Sequence, residues 1–94
     1  MTLIWTARAV RDLIAIAEFI NQHNPSAALA MRSRIRAATS RLAEFPLSGR
    51  PGRVAETREL VVPRTGYIVP YRVREGRVEI LAIFHAARDW EEGL

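Results

Sequence analysis

The chain has 94 residues and not one is cysteine, which excludes disulfides and thiolate metal sites. It has no lysine either, so all fourteen basic residues are arginine. Its two histidines, His23 and His85, lie far apart in sequence. A zinc site is not expected from such a pair, and no cofactor is expected. No apolar run approaches the roughly 20 residues that span a membrane. Near Met1, the residues Trp5, Arg8 and Arg11 interrupt any apolar stretch of a signal peptide. A soluble cytoplasmic protein is the expectation. There is no internal repeat and no low-complexity segment, and the length suits one small domain over residues 1–94.

What is present is ordinary for a globular chain: 49% of the residues are apolar, too rich for disorder. Ten acidic residues hold the formal net charge to +4. Arginine presents a planar fork of donors that grips phosphate or carboxylate bidentately. That suits RNA, DNA or an acidic protein at particular positions, while the arginine total reads as a codon preference.

Thr2 to Trp5 is short and apolar, a strand for the edge of a sheet. Thr6 sits where an N-cap belongs. From Ala7 to Gln22 the period is helical, with Val10, Leu13, Ile14, Ala17 and Ile20 in one stripe. Ile16 and Phe19 widen it, so this helix is expected to be well covered. Asn24 caps a second helix and Pro25 occupies its first position. That helix runs to about Glu44, with Ala28, Met31, Ile35, Ala38, Leu42 and Phe45 as a seam. A short connection makes the pair an antiparallel hairpin; the seam packs inside the chain more naturally than as a dimer coiled coil. Phe45 to Arg53 is an irregular loop with Arg50 and Arg53 exposed. It fails as a phosphate-binding loop, since no Gly-Lys-Ser/Thr follows.

Three β-branched or aromatic runs come next: Arg58 to Val62, Tyr67 to Val73 and Val78 to His85. Short turns between them make an antiparallel meander. Tyr67, Val69, Tyr71 and Val73 share one face of the middle strand; Ile68, Pro70 and Arg72 take the other. Pro70 has no amide for the ladder, so a bulge or an unpaired position is expected there. In the last strand, strict alternation sets Val78, Ile80, Ala82 and Phe84 against Glu79, Leu81, Ile83 and His85. Both faces are apolar, so one packs on the hairpin and the other calls for a partner. The fold class is α+β in the order β-α-α-β-β-β, a strand and helical hairpin on an antiparallel C-terminal sheet.

Arg58, Arg72, His85 and Arg88 are the polar residues recurring along this sheet, with Trp90 just beyond. Each has a structural reading. Arg58 and Arg72 can pair with Glu59 or Glu79, His85 can bond locally, and Arg88 can pair with Asp89. Trp90 can anchor the tail, and His23 is a solvated turn residue.

The element order, with Trp5 to Leu13, Asn24 to Ala28, Phe45-Pro46, Gly49 to Arg53, Thr57 to Val62, Tyr67 to Val69, Tyr71 to Val73 and His85 to Trp90, resembles the RelE/ParE superfamily of toxins. These belong to type II toxin–antitoxin systems, and the ParE-like branch matches most closely. The resemblance covers almost the whole chain. It implies an antitoxin partner and hetero-oligomer, and one of two targets; the composition already speaks against a metal. ParE-like members poison DNA gyrase. RelE-like members cleave messenger RNA on the ribosome with arginine and lysine at the phosphate and a tyrosine, or a histidine with tyrosine, near the C-terminus. Lysine is absent here and no tyrosine follows the last strand, which favours gyrase. A nuclease would use His85 for proton transfer and Arg58, Arg72 and Arg88 at the phosphate. As target or antitoxin contacts the resemblance implies Arg58, Arg72, His85, Arg88 and Trp90. A chain that has lost toxicity and only binds its antitoxin is the third reading.

Overall fold

The computed structural model describes residues 1–89, so Trp90 lies outside the described residues. Strand β1 (Thr2–Trp5) leads into α1 (Ala7–Asn21) and α2 (Pro25–Ser40), which closes with a 3-10 turn at Arg41–Ala43. Then follow β2 (Arg50–Pro51), β3 (Arg58–Val61), β4 (Tyr67–Arg74), β5 (Arg77–Ile80) and β6 (Phe84–His85). The sheet runs β1-β5-β4-β3-β2, with β6 also on β4. All pairs are antiparallel except β1 with β5.

Local chemistry sets the helix starts. The Thr6 hydroxyl accepts from the Ala9 amide and donates to the Ile80 carbonyl, so one cap also ties α1 to β5. The Asn24 side chain accepts from the Ala27 amide, and Pro25 opens α2. Ala9 and Leu13 of α1, with Ile35 and Leu42 of the second helix and its turn, meet Val62, Tyr67, Val69, Tyr71, Val78, Ile80 and Ile83 of the sheet. The expected seam holds at Ala28, Ile35 and Leu42, all buried, but Phe45 is exposed.

The expected strand from Val78 to His85 is two strands. In β5, Ile80 faces Tyr71; in β6, Phe84 faces Ile68 and His85 faces Tyr67. Between them, Val69 and Pro70 oppose three residues, Leu81 to Ile83, which is a bulge. Pro70 offers no amide there, and its carbonyl takes the Leu81 amide at 2.9 Å. The Ile83 amide turns instead to the Asp12 carboxylate of α1 at 2.9 Å. One extra residue reverses the phase of everything after it. Ile83 joins the core, and His85 moves from the face of Glu79 to the face of Tyr67.

Two expectations about apolar surface exchange places. The second face of the sheet is covered: Ile68, Ala82 and Phe84 are buried. The Arg53 guanidinium, whose backbone amide is held by Glu59, lies over the Phe84 ring at 5.6 Å. Arg50 is in β2 and pairs with Glu59 across 3.1 Å, so the loop region helps to cover this face. By contrast α1 is not well covered. Val10, Ile14 and Phe19 are 41%, 51% and 53% exposed.

Candidate functional site

Arg58 pairs with Tyr71 in the β3–β4 register, on the helix side of the sheet. Its guanidinium donates to the carbonyls of Leu47 (3.2 Å) and Gly49 (2.9 Å). The Tyr71 hydroxyl accepts from the Gly49 amide and donates to the Pro46 carbonyl. A Cβ on Gly49 would lie 2.6 Å from that hydroxyl, so only glycine fits. Burial pushes the Tyr71 pKa up, against the Gly49 bond and the nearby Arg58 charge. Arg58 therefore ties down the 46–49 loop, rather than pairing with Glu59.

Arg72 emerges on the opposite face and hydrogen-bonds Glu79, its cross-strand neighbour. Arg74 and Arg77 also approach that carboxylate, at 3.4 and 3.9 Å. The Arg72 hydrogen bond, then the three positive charges, hold the Glu79 carboxyl below its usual range against a cost of desolvation. This is the pairing expected for Arg72.

His85 and Arg88 gather at a third place, where β6 meets α1. The His85 ring stands edge-on to Tyr67 with centroids 5.1 Å apart, and its Nδ1 accepts from the Ala87 amide. Arg88 donates to the Tyr67 hydroxyl at 3.0 Å and lies over the Phe19 ring at 5.7 Å. Asp89 accepts from the His85 amide at 3.0 Å. These contacts fold the tail onto α1 around a cavity of about 230 Å³ that Ala15, Ile16, Phe19, Tyr67, Arg88 and Asp89 line. His23, in the turn after α1, stands edge-on to the Phe19 ring with centroids 6.3 Å apart.

Of the four sheet candidates, His85 and Arg88 come together at Tyr67, while Arg58 and Arg72 each stand apart. Arg58 and His85 share a face, but their partners Tyr71 and Tyr67 are four residues apart on β4, roughly 13 Å along the strand. Val69, fully buried, fills the space between them. Arg72 is on the other side of the sheet. Among the described residues no group of His, Asp and Glu is arranged to hold a metal ion.

Sequence reasoning missed an apolar groove on the helical hairpin. Trp5, Val10, Leu13, Ile14 and Ala17 floor a groove of about 550 Å³ beside α1 and α2, with Glu18, Arg32 and Arg36 on its rim. The helical stripe named four of these residues, all but Trp5; what it could not show is that the sheet covers only one side of the stripe. Tyr67 was also missed as the partner of Arg88 and His85, because that meeting depends on the bulge.

Comparison with known proteins gives consistent matches. Residues 3–90 match the model of the ParE toxin of the type II toxin–antitoxin system parDE. A toxin candidate of Sinorhizobium fredii, Y4kP, is 47% identical over 96% of this chain and 93% of its own length. Toxin RelE2 of Caulobacter vibrioides is 45% identical over 92% and 96%. Among solved structures, a chain of the chromosomal ParDE toxin–antitoxin system from P. aeruginosa superposes with a TM-score of 0.83 at 31% identity, covering 90% of this chain and 95% of that one. A chain of the toxin–antitoxin complex RelBE2 from Mycobacterium tuberculosis gives 0.58 at 27% identity, covering 89% and 95%.

Proposed function

The chain belongs to the ParE toxin family of type II toxin–antitoxin systems, and on that premise we propose that it arrests growth by binding DNA gyrase and is neutralised by a cognate antitoxin. The dispersal of Arg58, Arg72 and His85 carries this reading. Cutting RNA through its 2′-hydroxyl needs a base, an acid and cations around one phosphate. Here Arg58 and Arg72 serve two separate places, and only Arg88 joins His85, with its guanidinium bonded to Tyr67. Tyr67 is buried and its hydroxyl is taken by Arg88. A binding inhibitor needs no such convergence. The higher TM-score to the ParDE chain supports the same branch.

The antitoxin segment that fits the α1–α2 groove is an amphipathic helix with an apolar face and acidic flanks. Val10 and Ile14 offer the apolar contact, and Arg32 and Arg36 the charge. Arg58, Arg72, His85 and Arg88 then act mainly by holding the surfaces that the target or antitoxin meets. The site of action is cytoplasmic.

Induced expression without antitoxin, with gyrase supercoiling and messenger integrity followed in parallel, tests this. Lost supercoiling with trapped cleaved DNA and intact messenger is expected. Codon-phased messenger cuts that vanish in His85→Ala would replace the reading with a ribosome-dependent nuclease. Unharmed growth with neither effect would leave a module that only binds its antitoxin.

A further inference from the structure

Positive charge is unevenly spent in this chain. Arg8, Arg50, Arg72, Arg74 and Arg77 are ion-paired. From Pro25 to Ala43, by contrast, there are four arginines and no acidic residue, the next acid being Glu44. Those four equal the whole formal net charge of +4; the other ten arginines are matched by the ten acidic residues. Arg32, Arg34, Arg36 and Arg41 are all exposed, and among the described residues none has an ion pair.

Arg32 and Arg36 rim the groove. Arg34 and Arg41 belong to another side. They fall on one face with Ala30, Ser33, Ala37 and Ser40, at spacings of three and four, and every one of these residues is exposed. We propose that this face of α2 binds the phosphate backbone of duplex DNA. The proposal goes beyond the gyrase reading and does not require it.

Side-chain chemistry selects the occupant. A protein interface is anchored by buried aromatic and large apolar side chains; none of these six residues is one, and the exposed Phe45 and Val61 border only the Arg41 end of the face. Phosphate contacts need what it does have: guanidinium forks, serine hydroxyls and small residues that let the backbone come close. Arg34 and Arg41 are two helical turns apart, about 10 Å along the axis. A helix about 10–12 Å across matches the roughly 12 Å major groove of B-form DNA. The deep, narrow major groove of duplex RNA does not admit one.

The test titrates the full chain against a short labelled DNA duplex between about 50 and 200 mM salt. Binding is expected to fall with salt, with a log–log slope of about −2 to −4. Arg34→Ala/Arg41→Ala is expected to reduce that slope by about two and weaken binding at low salt at least about tenfold. Alanine keeps the helix, and circular dichroism verifies it. Arg74→Ala/Arg77→Ala removes equal charge on the β4–β5 hairpin and is expected to retain the wild-type slope. The proposal is overturned by no binding at low salt, by equal losses in the two variants, or by duplex RNA binding as tightly. Displacement of the duplex by polyglutamate at equal charge would overturn it in favour of an acidic protein. Free DNA is the probe, so failure here leaves the gyrase reading standing, and failure of gyrase inhibition leaves this result intact.

Discussion

The carboxylate of Asp12, on the second turn of α1, accepts the backbone amide of Ile83 across 71 residues of sequence. The amide is the one that the bulge withdraws from the β4 ladder. Asp12 also carries an exposed pair with Arg8 at 3.4 Å, worth little by itself. Asp12→Ala leaves the part-buried amide without an acceptor and is expected to cost about 1–3 kcal/mol. Asp12→Asn keeps an acceptor oxygen and should cost less. Denaturant unfolding measures both, and amide exchange at Ile83 should rise only in the alanine variant.

Gly66 and His85 make a second such junction. Gly66 has φ +80°, and an added Cβ would lie 2.6 Å from Nε2 of His85. Gly66→Ala therefore meets backbone strain and a side-chain collision together, and about 1–3 kcal/mol of stability should be lost. His85→Ala removes the collision but not the strain. A double-mutant cycle is expected to show favourable coupling between the two changes, with a remaining cost from φ alone. Additive effects would show that the ring does not limit Gly66.

The folded-state pKa of Glu79 is depressed, chiefly by the Arg72 hydrogen bond. Its contribution to stability is complete above the unfolded glutamate value of about 4.3. It is lost as pH falls through the lower folded value, because there the unfolded chain binds the proton first. Glu79→Gln should be destabilised near neutral pH and approach the wild type in acid. Unfolding midpoints between neutral pH and about pH 2 test the sign. A difference that grew with acidity would contradict it.

Ile14, half exposed on α1, reports on the groove. Ile14→Glu should leave unfolding within about 0.5 kcal/mol of wild type, as surface substitutions do. Antitoxin affinity should fall at least about tenfold, since a charge would enter an apolar contact. Co-expression with antitoxin should then no longer protect growth fully. Unchanged affinity would place the antitoxin elsewhere.

Much of the fold was legible because it is local. The caps at Thr6 and Asn24, the stripe of α1, the seam of α2 and the alternation along β4 each depend on a few neighbouring residues. The difficulty that Pro70 poses was legible too, since a missing amide is a property of the residue. Its resolution was not. Where the extra residue enters β5–β6 depends on Asp12 of α1 receiving the Ile83 amide. His85 was accordingly read onto the wrong face, and the nuclease alternative set all four candidates around one phosphate, which the register does not allow for Arg58 and Arg72.

By composition and pattern, then, the sequence determined an α+β chain with a helical hairpin, an antiparallel meander and arginine as its sole cation apart from histidine. The family resemblance followed from the same local stretches in their order. Tertiary structure decided which half of each amphipathic surface stayed open. Arg53 reaches the second sheet face through Glu59, while Val10 and Ile14 on α1 stay open beside the groove. It also decided which arginines are neutralised, because cross-strand register brings Glu79 to Arg72 and Glu59 to Arg50. Helix α2 has no acidic residue of its own, and among the described residues none forms an ion pair with its arginines.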